Sequence, residues 1–280
     1  MTPVCILTDS SVQFTDPQFE GRELVKVLPL GVRMSGKVIA DGARVSELTF
    51  PISARNGSTP RLEAPTVKDF RQALLKLGKN YQEVLLILLS GGLSEAVTNA
   101  QIAANTLNLP LDIHIIDSQN ISAGLGMLVQ VAAQASRAGA TIAEIQRLVV
   151  GLIPRLYSLF CVRSLTYLAQ SGQLEPDQAF VGEMLRLTPF LILENGRLAS
   201  LQKAQSQRQI IDLFHEFLAE FKTLQHVALL HGASFDQEAR LLHEHILANF
   251  PGLPLSEHVM GVSHSLLLGP RCLGLVAMQQ

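Results

Sequence analysis

Apolar runs alternate with polar turns and helix-like stretches through the first half of the chain. Residues 4–7 are apolar and lead directly into a polar cluster at 8–11. The same order of apolar run, polar turn and helix-like stretch recurs over 83–107 and 111–136. Strands that alternate with helices predict a parallel sheet with right-handed crossovers. The three polar turns are therefore expected at the carboxyl edge of one sheet, where α/β proteins bind ligands.

Two neighbouring segments carry signals for a loop and a helix. Residues 65–81 predict a helix with Thr66 as its N-cap, directly after Pro65. Gly, Pro and Ser are frequent over 52–66, which predicts an ordered loop or a lid ahead of this helix. The first half is thus expected to be an α/β domain.

Beyond about residue 150 the pattern becomes a mixture of hairpin and crossover signals. Asn195-Gly196 between two apolar stretches predicts a hairpin, and Gly172 is expected to end a short helix. We therefore predict a two-domain α/β protein, with an N-terminal parallel-sheet domain (1–155) and a C-terminal α+β domain (156–280). The elements predicted for the second half are a strand and short helix (156–172), a helix broken at Pro189 and a hairpin (179–201), a helix (207–224), a strand, turn and helix (226–250), and two apolar strands around Gly269-Pro270 (257–280).

Composition narrows the class of protein. Hydrophobic residues make up 48% of the 280 residues and Trp is absent, so the expected core is aliphatic. A net charge of −2 without a basic run argues against a nucleic-acid partner. Cys5, Cys161 and Cys272 have no paired spacing, which favours a cytoplasmic protein. We expect neither a signal peptide nor a membrane span, since the apolar runs are far shorter than about 20 residues.

The Ser-Gly-Gly-Leu-Ser turn at 90–94 is the main candidate for chemistry. Gly91 and Gly92 permit close backbone approach, and the start of the following helix favours an anion or a carbonyl oxygen. Ser94 can also be an ordinary helix cap, so the functional interpretation depends on three such turns sharing one edge. A P-loop and a dinucleotide fingerprint are both missing, and the histidines lack metal spacing. We therefore expect no cofactor and no metal.

A serine hydrolase is an alternative interpretation of the same turn. Ser94 lies in a Gly-x-Ser-x-Ala sequence between a predicted strand and a predicted helix, which is the setting of a nucleophile elbow. Asp117 and then His231 and His264 follow in the order of α/β-hydrolases. The short spacing from Ser94 to Asp117 and the lack of an oxyanion loop weigh against this alternative.

Six motifs in order along the chain resemble the DegV family. They cover nearly the whole sequence, and their combination is more specific than any one of them. The motifs are ILTDSS (6–11), LSGGLSEAVTNAQ (89–101), IIDSQNISAGLGMLV (115–129), LTYLAQSGQL (165–174), AFVGEMLRLTPFLILENGRL (179–198) and LGPRCLGL (268–275).

The resemblance implies a non-enzymatic carrier that binds a long-chain fatty acid in a cleft between two α/β domains. It also implies a possible protein partner, a fatty-acid kinase to which the carrier presents the acyl group. In the family a Ser and a Thr hold the carboxylate, and the matching positions here are Ser94 and Leu62. The other expected ligand-binding residues are Gly91, Gly92, Ser10, Thr8, His264 and Arg271.

Several positions depart from the family pattern. Leu62 has no hydrogen-bonding group, and uncharged residues at 171–173 and 205–207 replace basic ones. Arg61 or Arg271 can supply a compensating cation, which charge-removing variants would test. The sequence therefore supports three hypotheses about function: a fatty-acid carrier, a serine hydrolase using Ser94, and a DegV-like scaffold for another apolar ligand or a protein partner.

Overall fold

The computed structural model describes residues 3–34, 37–40, 50, 60–232 and 235–280. Two short 3-10 helices lie at Arg22–Leu24 and Ile153–Arg155. The strands and helices of the first half are β1 (Cys5–Asp9), β2 (Val25–Leu28), β3 (Gly31–Met34), β4 (Lys37–Ala40), β5 (Arg61–Glu63), α1 (Val67–Leu77), β6 (Glu83–Leu88), α2 (Ala96–Asn105), β7 (Asp112–Asp117), α3 (Ser122–Arg137) and α4 (Ile142–Leu152).

The first half is built on a parallel sheet with the strand order β2-β1-β6-β7. Apolar side chains of α1 and α2 pack on one face of this sheet, and those of α3 pack on the other. Thr66 caps α1 in a reciprocal capping box with Asp69, as the sequence predicts. The polar turns after β1, β6 and β7 consequently share the carboxyl edge of the sheet.

A small antiparallel sheet with the order β4-β3-β5 was not predicted. β5 occupies part of the segment expected to be a loop or lid, and Leu62 lies opposite Val32 of β3. The rest of that predicted loop, residues 52–59, lies outside the described residues.

The second half forms a six-stranded sheet. Its elements are β8 (Leu156–Val162), α5 (Leu165–Gln170), α6 (Pro176–Met184), β9 (Thr188–Glu194), β10 (Arg197–Ala204), α7 (Gln207–Ala219), β11 (Leu224–His231), α8 (Asp236–Asn249), β12 (Leu255–Val259), α9 (Val262–Leu268) and β13 (Cys272–Gln279). The strand order is β10-β9-β8-β13-β11-β12, and every pair except β11 with β12 is antiparallel. This mixture agrees with the predicted α+β character.

Two predictions for the second half are wrong. Residues 262–268 form the helix α9 and not a strand. Ser263 to Leu268 are all buried, so the segment has no polar face whose spacing would distinguish a helix from a buried strand. Pro189 does not break a helix: α6 already ends at Met184, and Pro189 pairs with Lys203 between β9 and β10.

One hydrophobic cluster joins the two halves of the chain. Val4 and Ile6 of the first half belong to the same buried cluster as Phe160, Leu230 and Val276 of the second. The two large sheets are therefore packed through shared side chains, and the predicted boundary after residue 155 stays a prediction. None of the described helices is long and apolar enough to cross a bilayer.

Candidate functional site

Asp9 organises the carboxyl edge of the parallel sheet. Its buried carboxylate accepts hydrogen bonds from the N–H and the hydroxyl of Ser11, at 3.0 and 2.5 Å, and from the N–H of Leu89 at 2.7 Å. Backbone donors thus hold the charge, as expected for an Asp that would repel a ligand carboxylate. The carboxylate ties the end of β1 to the end of β6.

Thr8 and Ser10 lie beside this carboxylate. Ser10 Oγ accepts a hydrogen bond from the N–H of Leu30 at 2.9 Å, which fixes the chain after β2. Thr8 is fully buried, and its hydroxyl has no hydrogen-bond partner among the residues that the structure describes. Neither residue belongs to the wall of the cavity at Ser94.

The Ser90–Ser94 turn is held by protein acceptors. The N–H of Gly91 donates to Asp117 Oδ1 at 3.1 Å, and the N–H of Gly92 donates to Ser90 Oγ at 3.2 Å. These two N–H groups are therefore engaged within the protein, ahead of α2, which begins at Ala96. Ser94 Oγ accepts a hydrogen bond from the N–H of Ala96, the first residue of α2, at 3.3 Å, although the N-cap position itself is taken by Glu95.

The hairpin between β9 and β10 contacts this turn directly. Ser90 Oγ donates a hydrogen bond to the carbonyl of Gly196 at 2.6 Å. Gly92 lies so close that a Cβ there would be 2.3 Å from the same carbonyl oxygen. Gly92 is thus required for close packing between the halves of the chain.

Ser94 and Leu62 line one cavity of about 320 Å³ between the two halves. The first half contributes Arg61–Ala64 of the β5 segment and Leu93–Glu95 of the turn. The second half contributes Gln170 and Ser171 at the end of α5, together with Leu266–Leu267 of α9. The structure thus brings together the two positions that the family resemblance matches to the carboxylate-binding Ser and Thr.

His264 is buried in α9 and does not line the cavity, although Leu266 and Leu267 of the same helix do. Its ring lies edge-on to Phe160, with a centroid distance of 5.2 Å. Both ring nitrogens are buried and have no hydrogen-bond partner within the described part of the chain. Burial lowers the pKa of His264 to about 3, so the ring is neutral at physiological pH.

Arg271 lies apart from the cavity wall. It is half-buried, its Nε has no partner among the residues described here, and its carbonyl accepts the N–H of Arg163 at 2.9 Å. Arg61 lines the cavity and is exposed. Of the two arginines expected to compensate for Leu62, only Arg61 is in the wall.

A second, largely apolar cavity of about 450 Å³ lies on the other side of α5. Leu165 and Leu168 of α5, Leu191 of β9 and Leu198 of β10 contribute to its wall. Because Gln170 and Ser171 line the Ser94 cavity, α5 contributes to both spaces.

The described residues do not assemble a hydrolase triad. Asp117 Oδ1 accepts the N–H groups of Gly91 and Gln119, at 3.1 and 2.9 Å, and His231 pairs with Glu257 at 3.2 Å. In that part of the chain Ser94 has no hydrogen bond to a histidine. The same residues contain no group of three or more His, Cys, Asp or Glu that could hold a metal ion.

Sequence reasoning missed the contribution of α5 and α9 to the wall. Gln170 Nε2 donates to the carbonyl of Pro60 at 2.7 Å, across 110 positions of the chain. The pattern around Gly172 predicts only the end of a helix, and no local signal identifies this distant partner. Because residues 262–268 are predicted to form a strand, the sequence also gives no indication that Leu266 and Leu267 line the cavity.

Comparison with known proteins gives one consistent result. The family described as "Uncharacterised protein, DegV family" matches residues 3–280. A DegV domain-containing protein of Caldanaerobacter subterraneus is 29% identical over 211 residues, which is 75% of each chain.

Two solved structures extend the comparison. A Thermus thermophilus DegV family protein, described as binding fatty acid, has a TM-score of 0.85 and 25% identity and covers 99% of this chain and all of its own. The Streptococcus pneumoniae fatty acid kinase B3 protein, loaded with linoleic acid, has a TM-score of 0.86 and covers 99% of this chain and all of its own. At 18% identity the latter likeness establishes the fold.

Proposed function

Because this chain belongs to the DegV family, we propose that it is a non-catalytic carrier that binds a long-chain fatty acid between its two halves. The Thermus relative, at 25% identity, is described as binding fatty acid. The observation that carries the proposal is the single cavity in which Ser94 and Leu62 meet the second half of the chain.

The headgroup is assigned to the Ser94 cavity between the two halves, and the acyl chain to the apolar cavity beyond α5, whose described wall belongs to the second half alone. Ser94 supplies a hydroxyl, and the buried neutral His264 of α9 is a further polar group outside the cavity wall. Gly91 and Gly92 order the turn that carries Ser94, and Thr8 and Ser10 are proposed to belong to the neighbouring turn at the end of β1. Arg271 is proposed as a more distant cation.

The apolar contacts supply most of the affinity. Each methylene removed from water contributes roughly 0.8 kcal/mol, so about 14 methylenes give on the order of 11 kcal/mol before the entropy lost on binding. The leucines that line the cavity beyond α5 fit this requirement. A ligand recognised mainly through its chain tolerates the loss of the threonine hydroxyl at position 62.

A fatty-acid kinase is the proposed protein partner. The Streptococcus structure with the same fold is a fatty acid kinase B3 protein, which supports this assignment. In this proposal the cytoplasm is the site of action, consistent with the buried, unpaired thiols of all three cysteines.

Replacing Ser94 with Ala tests the headgroup assignment. We expect Ser94→Ala to weaken binding of oleate by about 1 kcal/mol or more, roughly fivefold, because a buried hydrogen bond is lost. Affinity is measured by titration of delipidated protein, alongside native mass spectrometry of the freshly purified chain.

The control separates ligand binding from helix capping. Ser206→Ala likewise removes a serine hydroxyl that accepts a backbone N–H at a helix start, since Ser206 Oγ, at the N-cap of α7, accepts the N–H of Gln209 at 3.2 Å. We expect this variant to lose stability without losing affinity. Unchanged affinity in Ser94→Ala would leave Ser94 as a cap only, and labelling of Ser94 by a serine-reactive probe would favour the hydrolase alternative.

A further inference from the structure

A groove lies between β2 and α1, at the outer edge of the parallel sheet. The strand order β2-β1-β6-β7 leaves one side of β2 without a neighbour among the described strands. The groove has a volume of about 730 Å³ and is bounded by Lys26–Leu28 of β2, by α1, and by Asn80 and Tyr81 after that helix. It is larger than the two cavities described above and shares no lining residue with either of them.

The free side of β2 carries backbone groups that can pair with another strand. The carbonyl of Leu28 accepts the N–H of Ser10 at 3.0 Å, so Leu28 directs its backbone groups toward β1. Successive residues of a strand direct these groups to opposite sides. The N–H and the carbonyl of Val27 therefore point away from β1, and its side chain is 41% exposed. An edge of this kind is a template to which another chain can add a strand.

Two lysines give this groove a positive charge. Lys26 Nζ donates to the carbonyl oxygen of Glu23 at 2.8 Å, which is a neutral acceptor. The carboxylate of Glu23 is paired instead with Arg137, at 3.4 Å. Lys76 lines the groove from the last turn of α1. Neither lysine has a carboxylate partner in the part of the chain that the structure describes.

The carboxylate of the groove wall is bound within a helix cap. Asp69 Oδ2 accepts the N–H and the hydroxyl of Thr66, at 2.8 and 2.6 Å. The other polar residues of the wall, Gln72, Asn80 and Tyr81, are uncharged at neutral pH. Two unpaired ammonium groups thus favour an acidic occupant. A second copy of this chain fits poorly, because pairing two such edges would bring the same lysines close together.

We propose that β2 is a docking edge for an extended acidic segment of a partner protein. The segment adds as a strand whose backbone pairs with that of Val27. Alternate side chains of a strand point to the same face, so acidic residues two positions apart reach Lys26 and Lys76 on the α1 side. A four-residue strand such as β2 is roughly 13 Å long, so a segment of about five residues covers it.

Two labelled peptides of the same length test the proposal. Thr-Glu-Val-Glu-Thr places both glutamates on one face of an extended chain, and Thr-Lys-Val-Lys-Thr places both lysines there. Binding to the full chain is measured by fluorescence anisotropy at low salt and by backbone amide shifts in NMR spectra. We expect the glutamate peptide to bind roughly fivefold tighter or more, with shifts at Val25–Leu28 and in α1. Added salt should reduce this preference.

Charge reversal connects the preference to the groove. We expect the double variant Lys26→Glu/Lys76→Glu to bind the lysine peptide more tightly than the glutamate peptide. Lys68→Glu/Lys222→Glu changes the net charge equally at exposed positions outside the groove, and it should keep the preference of the wild type. An equal reversal in both double variants would overturn the proposal, since net charge and not the groove would then select the peptide.

Methylation of backbone nitrogens tests strand pairing. Alternate N–H groups of an added strand point toward β2 and away from it. One glutamate peptide is methylated at both glutamate nitrogens, and another at the valine and the last threonine nitrogens. We expect one of the two to lose binding and the other to keep it. Equal binding of the two methylated peptides, or no binding of either unmethylated peptide, would overturn the proposal and leave the proposed lipid carrier intact.

Discussion

His264 is a buried residue whose protonation state links the fold to pH. The ring is 2% exposed and neither nitrogen has a hydrogen-bond partner in the described part of the structure. Burial disfavours the charged imidazolium and lowers the pKa from 6.5 to about 3. The neutral ring is thus compatible with the core, whereas a protonated one is not.

Acidification should therefore destabilise the protein through His264. The unfolded chain binds a proton near pH 6.5 while the folded chain does not until about pH 3. The contribution is complete above the unfolded pKa and is lost as pH falls, by up to about 1.4 kcal/mol per pH unit. We expect His264→Gln to have a shallower loss of stability than the wild type, measured by urea unfolding across this range.

The wild type provides the reference for this comparison. His226 and His258 also have pKa values lowered by burial. They therefore contribute equally, in the wild type and in the variant, to the change of unfolding free energy with pH. The difference between the two proteins in how the free energy of unfolding changes with pH therefore gives the contribution of the His264 ring alone. Parallel stability curves would show that His264 does not carry this linkage.

At the level of single residues, the sequence predicts chemistry better than it predicts contacts. The polar cluster at 8–11 is predicted at the carboxyl edge of the sheet, and Asp9 of this cluster binds the N–H groups of Ser11 and Leu89 there. The family resemblance paired Ser94 with Leu62, and both line one cavity. The engagement of Gly91 by Asp117 was not foreseen, because it depends on the spacing of two neighbouring strands and not on either sequence segment.

At the level of elements, regular alternation is a dependable signal and uniform burial is not. The parallel strands β1, β6 and β7 and the capped helix α1 were predicted because polar turns and caps bound them. α9 was mistaken for a strand because all residues from Ser263 to Leu268 are buried. Helix and strand give the same apolar run when no face is exposed to solvent.

The contact between the Ser90–Ser94 turn and the β9–β10 hairpin is an element-level feature with a clear test. We expect Gly92→Ala to lower the free energy of unfolding by about 1–3 kcal/mol, since the new Cβ would overlap the carbonyl of Gly196. Lipid affinity should fall with it, because the turn carries Ser94. Urea unfolding and lipid titration measure the two effects.

Gly151→Ala is the matched control for Gly92→Ala. A Cβ at Gly151, in α4, meets no atom within 4 Å. We expect a gain of up to about 1 kcal/mol from the higher helix propensity of Ala. Equal destabilisation by both substitutions would show that the hairpin contact is not responsible.

For the whole molecule, two sheets share one hydrophobic cluster. Val4 and Ile6 pack in the same cluster as Phe160, Leu230 and Val276. We therefore expect a single cooperative urea transition, with fluorescence of the tyrosines and far-ultraviolet circular dichroism changing together. Two separated transitions would indicate that residues 1–155 and 156–280 fold independently.

The apolar cavity beyond α5 predicts how ligand length can be changed. We expect Leu198→Trp to reduce binding of oleate relative to lauric acid by roughly tenfold, because the larger side chain takes volume from the longer acyl chain. Leu201→Trp is the control, since Leu201 is 52% exposed on the same strand and does not line the cavity. Equal loss for both lipids would place the acyl chain elsewhere.

The position of α5 between the two cavities has a consequence for how this protein can diversify. Leu165 and Leu168 face the space assigned to the chain, while Gln170 and Ser171 face the space assigned to the headgroup. A change that displaces this six-residue helix alters both ends of the ligand at once. Substitutions selected for a new chain length and for a new headgroup should therefore be epistatic, and neither specificity can evolve as an independent module.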